Sequence, residues 1–420
     1  MLAAAPHRLV SAPWVVPVAT PPLREGALVV DAQGVIVAVG PRAELRATHP
    51  ALPETRGEGV LLPGLVNAHA HLELSALAGR VPGGSGVIAW TRALATVLRE
   101  APAQAREGND PTSLAAEAAA VSAKALGTAA MGDVGNSTAG WRAMDAVGLQ
   151  GLFFHELVGS REARTGDAIT DAERERAALP RRPSGVAAVP APHAPYSVGP
   201  ALLQRIFAAA AAAGLPTSIH LAEDADEVAL LRDGSGGWPA VLRALGASPE
   251  ERSPGLEPCA YVASCGGFAS HQPPLLVHMV HASADDRRRA REAGATVVLC
   301  PRSNLHIGGR LPNVPALLGD GVALALGTDS LASAPDLSLW AELSVLSHAF
   351  PAVPARTWLH AATAGGARAL GLPHLGTLAP GSRPGLLDVL PAALSPDLAA
   401  DPERALVTAP PLTLRWLVFA

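Results

Sequence analysis

The sequence predicts an α/β fold: a (β/α)8 barrel of the TIM type, with a small β-sandwich-like domain assembled from both chain ends. Three observations predict it. Short apolar runs alternate with helix-periodic stretches through the middle of the chain, the sequence signature of a parallel sheet with crossover helices. Eight such runs spread over roughly 300 residues, the size of one barrel with insertions. Outside that span, short β-like pieces separated by turn residues occur near both termini. The expected division is residues 1–58 plus 376–420 for the composite β-domain and 59–375 for the barrel.

Taken in order, Leu28 to Asp31 and Gly34 to Gly40 are valine-rich pieces flanking a turn-like break, which predicts a hairpin. The barrel strands are expected at Leu65–Ala70, Thr128–Asp133, Gly151–Leu157, Val186–Ala191, Thr217–Ala222, Leu275–Val280, Ala295–Leu299 and Val322–Gly327. Helices are expected at Leu114–Leu126, at Pro200–Ala213 between a starting proline and the stop Gly214, and at Asp285–Ala293 with Ser283 as its cap. A glycine- and proline-rich insertion, Asp233 to Pro274, separates the fifth and sixth strands. Gly376 to Leu390 and Leu412 to Ala420 read as short strands that join the N-terminal pieces in one sheet.

Composition narrows the function classes. At 420 residues, 49% hydrophobic and a formal net charge of −5, the chain has ample material for a core and no basic field for nucleic acid. Lys124 is the single lysine in an arginine- and alanine-rich chain, a compositional drift without functional content. Cys259, Cys265 and Cys300 form no C-x-x-C pair and are expected as reduced thiols of a cytoplasmic protein. The first residues are broken by prolines, unlike a signal peptide, and no uninterrupted apolar run approaches the ~20 residues of a membrane helix. A small-molecule substrate is the expected partner, with a homodimer left open.

Barrels of this type carry their chemistry at the C-terminal ends of the strands. His69 and His71 end the first strand and, at period two, point the same way. His220 ends the fifth, with Glu223 three residues on; His278 ends the sixth and Asp329 the eighth. Any one of these histidines is most simply a surface or core residue, but four strands delivering imidazoles and carboxylates to one rim suit a divalent ion with a position open to water.

The pieces PGLVNAHAH, HLAE, VHMVH and GTDS, with the split β-domain, resemble the amidohydrolase superfamily, in its branch of metal-dependent deaminases and chlorohydrolases. The resemblance spans nearly the whole chain. It implies His69, His71, His220 and Asp329 as metal ligands, and Glu223, His278 and Asp329 as the proton-handling groups, with His281 structural or substrate-lining. It further implies one metal per chain, zinc with iron as the alternative. A second ion would need a bridging lysine from the fourth strand, which here runs instead into Pro192-His193-Ala194-Pro195, so that His193 is expected to reach substrate.

The implied reaction is hydrolytic release of ammonia from an amino-substituted ring: zinc lowers the pKa of water to near ~7, and Glu223 protonates the ring nitrogen. HAHLELS, APHAPYS and CPRSN are similar to the aminodeoxyfutalosine deaminases, which implies 6-amino-6-deoxyfutalosine as substrate and menaquinone biosynthesis as its setting. The alternatives are adenosine, S-adenosylhomocysteine or methylthioadenosine, or chloride or cyclic-amide hydrolysis on the same scaffold; a non-catalytic scaffold would have lost ligands. Trp90 either underlies the purine or packs in a core. Arg302, with Ser303 and Asn304, either pairs with the substrate's carboxylate or braces the rim, with Arg80 and Arg161 next in line for that carboxylate.

Overall fold

The computed structural model describes residues 7–100, 110–159, 165–180, 185–390, 400–408 and 413–418. The chain opens with β1 (Arg8–Val15), β2 (Leu23–Val30) and β3 (Ile36–Pro41), then α1 (Arg42–Thr48), β4 (Glu54–Arg56) and β5 (Val60–Pro63). β2 and β3 form the antiparallel hairpin. Its turn is tied by Asp31 Oδ1, which accepts from the amides of Gln33 and Val35, and Gly34 supplies the left-handed φ of 82°.

Eight parallel strands follow: β6 (Leu65–Ala70), β7 (Thr128–Gly135), β8 (Gln150–Leu157), β9 (Ala187–Pro192), β10 (Ser218–Leu221), β11 (Leu275–His278), β12 (Thr296–Leu299) and β13 (Ala323–Leu326). Between β6 and β7 lie α2 (Val87–Glu100) and α3 (Pro111–Ala125); α4 (Ala139–Val147), α5 (Thr165–Ala177) and α6 (Pro200–Ala213) each join the next pair of strands. α7 (Ala225–Asp233), α8 (Trp238–Ala244) and α9 (Pro258–Ser264) separate β10 from β11, and α10 (Ala284–Glu292) leads to β12. α11 (Pro301–Gly308) and α12 (Val314–Gly319) precede β13, and α13 (Leu339–Ala349) comes after it. No helix of the described residues is long and apolar enough to cross a membrane.

The eight strands form two four-stranded sheets, β6-β7-β8-β9 and β10-β11-β12-β13. Two seams close them into a ring. Between β9 and β10, His220 N donates to His193 O at 2.9 Å and Thr217 Oγ1 to Pro190 O at 2.7 Å. Between β13 and β6, the amides of Thr328 and Asp329 both donate to His69 O, and His71 N to Asp329 O. Gly327 permits the second seam, because a Cβ there would lie 2.8 Å from His69 Cβ and 3.0 Å from Cys300 Sγ.

The chain then returns to its beginning. β14 (Leu386–Leu390) pairs antiparallel with β5 and with β15 (Thr413–Val418), completing a sheet in the order β15-β14-β5-β1-β2-β3, with β4 beside β1.

Two expectations are corrected. The insertion Asp233–Pro274 contains the helices α8 and α9, whose short length and Gly/Pro-rich surroundings hide their periodicity. α3 begins at Pro111, three residues before the expected start, because Asp110 caps it through Ser113 N. Where Ser283 was expected as a cap, a full capping box with Asp286 is present.

Candidate active site

The chemistry-bearing groups stand where strands turn. Ala222, His278, Met279 and Asp329 all have left-handed φ values, between 51° and 77°, so β10, β11 and β13 end abruptly and aim their last side chains inward. His69, His71 and His220 bring one donor atom each to within 4.8 Å of one another. His71 Nε2 and His220 Nε2 are 3.3 Å apart, and Asp329 Oδ1 lies 3.7 Å from His71 Nε2.

This arrangement fits a divalent ion. His69 is fully buried and neither of its ring nitrogens has a hydrogen-bond partner. His220 gives Nδ1 to His193 O at 2.9 Å, which leaves the Nε2 lone pair facing inward, as an outer partner does for a ligating imidazole. Two lone pairs 3.3 Å apart repel unless a cation lies between them. Burial, together with the neighbouring imidazoles, holds His69 well below the ordinary histidine range, and burial brings His71 down to about 4. Both are therefore the neutral ligands a metal requires. Glu156, His193 and His220 also cluster, with His220 Nδ1 3.9 Å from Glu156 Oε1 and bonded to His193 O. Lys124 gives its Nζ to Val147 O, on α3.

Beside the imidazoles, Glu223 Oε1 lies 3.6 Å from His278 Nε2. Burial first, then the charges of Asp329, Asp224 and Glu227, pushes Glu223 well above the usual carboxylate range. Asn304 Nδ2 sits 2.9 Å from His278 Nδ1, so the amide donates to an unprotonated Nδ1 and the ring proton resides on Nε2, facing the site. Burial takes His278 down to about 3. Burial alone would raise Asp329, but His71, His278 and the Ser303 hydroxyl on its Oδ2 hold it low.

These groups floor a cavity of about 330 Å3. Its upper walls are apolar, formed by one face of α2 (Val87, Trp90, Leu94) and one of α8 (Trp238, Leu242), and Leu98, Val158 and Leu245 at its rim are exposed. His193 and Trp90 line it, and the buried Trp90 Nε1 has no hydrogen-bond partner.

Arg302 does not line the cavity. Its Nε donates to buried Glu342 Oε1 at 2.6 Å and its Nη1 pairs with Asp336 Oδ1 at 2.8 Å, so the guanidinium braces α11 against α13 and the loop before it. Ser303 likewise holds Asp329 and is absent from the lining. Arg80 is exposed, Arg161 lies outside the described residues, and His281 lines a smaller neighbouring cavity. Sequence reasoning missed Glu73, Asn136 and Glu156 in the wall. Glu156 obeys the strand-end rule at β8, and burial raises it to about 8.

Comparison with known proteins agrees with this geometry. The amidohydrolase family profile matches residues 60–401. The chain is 32% identical over 349 residues to an aminodeoxyfutalosine deaminase of Deinococcus radiodurans, covering 80% of this chain and 79% of the relative. It is also 32% identical over 371 residues to a 5-methylthioadenosine/S-adenosylhomocysteine deaminase of Nitratidesulfovibrio vulgaris, covering 86% and 78%. Helicobacter pylori aminofutalosine deaminase, solved with methylthio-coformycin, superposes with a TM-score of 0.83 at 23% identity over 98% of both chains. A zinc-bound adenosine deaminase from Xanthomonas campestris gives 0.76 at 25% identity, covering 97% of this chain and 90% of that one. A profile match over most of the length, on a barrel whose strand ends converge in this way, has one reading: the chain belongs to the amidohydrolase family.

Proposed function

We propose that this protein is a hydrolytic deaminase that releases ammonia from a 6-aminopurine nucleoside-like substrate, using one divalent ion per chain, zinc in preference to iron. The observation that carries the reading is the convergence, at the floor of one cavity, of a buried Glu223 pushed well above the usual carboxylate range, the imidazoles of His69, His71 and His220, and an Asp329 held low.

His69, His71, His220 and Asp329 would hold the ion, which when bound supplies the Lewis acidity that makes water nucleophilic near neutral pH. Glu223 donates its proton to the ring nitrogen beside the amino-bearing carbon and so drains electrons from that carbon. Asp329 takes a proton from the attacking water and returns it to the exocyclic nitrogen. With its proton on Nε2, His278 acts as a donor to the charge developing on oxygen. A C–O bond forms and a C–N bond breaks, the remaining hydroxyl proton passes to Glu223 and restores its acid form, and one water is exchanged for one ammonia. His193, its Nδ1 tied to Ser197 Oγ at 2.6 Å, presents its other face to the substrate.

Likeness to the Deinococcus enzyme supports 6-amino-6-deoxyfutalosine as the substrate. The lining favours a second reading, methylthioadenosine. Among the described residues the walls contain no arginine or lysine to meet a carboxylate, while α2 and α8 offer an apolar chamber suited to a thioether. Ammonia release from zinc-loaded protein, measured on aminodeoxyfutalosine, methylthioadenosine, S-adenosylhomocysteine and adenosine, decides between them by kcat/KM. One equivalent of metal per chain is expected on the same sample. Failure on every purine, with turnover of a chlorinated triazine or a cyclic amide, would overturn the deaminase reading.

A further inference from the structure

Beside the main cavity lies a second, of about 150 Å3, lined by Glu223, Asp224, His281, Asn304, Gly308 and Arg310 among others. Glu223 stands in the wall of both. Gly308 and Arg310 are exposed, so the smaller cavity leads from the acid to the surface without passing the apolar mouth.

Asn304 is 3% exposed; its Nδ2 serves His278, and its Oδ1 has no hydrogen-bond partner. A buried carbonyl oxygen left unpaired is costly, so this one calls for a small donor. A water's share of liquid volume is ~30 Å3, which gives the cavity room for a short file of molecules of that size, ammonia included.

We propose that this cavity is a polar side channel through which ammonia leaves and water enters while the nucleoside fills the main cavity, an inference that rests on the deaminase reading above. Each turnover delivers ammonia at the floor, beneath the purine, where the walls above are apolar. Sideways, at Glu223, Asp224 and Asn304 Oδ1, a molecule rich in N–H donors finds a run of acceptors that leads away from the purine.

The channel is tested by plugging it after folding. Gly308 ends α11 without a left-handed φ, and a Cβ added there meets nothing within 4 Å, so Gly308→Cys is sterically tolerated. The three native cysteines are buried, which directs a benzyl methanethiosulfonate to residue 308 in the loaded, folded enzyme. Unlabelled, the variant should turn over methylthioadenosine or aminodeoxyfutalosine like the wild type. Labelled, its kcat should fall about tenfold while the single-turnover rate constant and kcat/KM hold, giving a burst of one purine product per site that a reductant abolishes by removing the label. Unchanged kcat after complete labelling overturns the channel, and so does a single-turnover rate that falls as far as kcat. Absence of turnover in the unlabelled protein would instead count against the deaminase reading.

Discussion

At the scale of single residues, the proposed chemistry turns on which groups keep their protons. Burial pushes Glu223 well above the usual carboxylate range, and a rate that needs its acid form must fall as pH rises past its pKa. His278, at about 3, stays neutral throughout, so any acid limb belongs to Asp329, which is held low. Glu223→Gln should lower kcat by ~10² to 10⁴ with metal retained, and its residual activity should lack the alkaline limb. Profiles of kcat/KM between about pH 5 and 9 check this; a variant that keeps the limb would assign it elsewhere. The placement of His69, His71, His220, His278 and Asp329 at strand ends was legible because strand period and strand ends determine direction: two histidines spaced by one residue must share a face. Arg302 was not, because its place on the rim leaves open which side of α11 the guanidinium takes. That choice is made by Glu342, forty residues on and fully buried, with which it pairs.

At the scale of elements, the first turn of α11 acts as a bracket. Arg302 ties it to α13, and the next two residues reach back, Ser303 to Asp329 and Asn304 to His278. Asn304→Leu removes the donor that keeps the His278 proton on Nε2. A buried hydrogen bond of this kind is worth ~1–3 kcal/mol, so kcat should drop by roughly ten- to a hundredfold, with KM and metal content near wild type. A rise in KM at constant kcat would instead make Asn304 a substrate contact. All eight barrel strands could be read from apolar runs, yet the fifth, sixth and eighth end one or two residues early. Their left-handed turns at Ala222, His278 and Asp329 follow from tertiary closure, and sequence pattern carries no trace of a non-glycine residue in that conformation. The helices α2 and α8 form the cavity's upper walls, but α8 is seven residues long and one face of α2 reads as an ordinary core stripe.

At the scale of the whole molecule, both chain ends meet in one sheet, and a single carboxylate ties them. Asp388 on β14 is 4% exposed; it accepts from the amides of Glu58 and Gly59, both at 3.0 Å, and from Arg415 Nε on β15 at 2.9 Å. The sheet in turn rests on the barrel, with Trp416 Nε1 donating to Lys124 O at the end of α3. The site lies at the opposite ends of the barrel strands, since β5 runs directly into the start of β6 whereas the imidazoles stand at β6's far end. A defect in the sheet should therefore be felt as stability and not as catalysis. Asp388→Ala strands the buried Gly59 amide and frees Arg415, a loss of about 2–3 kcal/mol by the cost of an unpaired buried donor and a charge-assisted bond. The expected result is an earlier urea midpoint at unchanged m-value, with kcat/KM and metal content intact wherever the variant is still folded. Reduced kcat/KM in fully folded Asp388→Ala would show instead that the terminal sheet is mechanically coupled to the strand ends that hold the imidazoles.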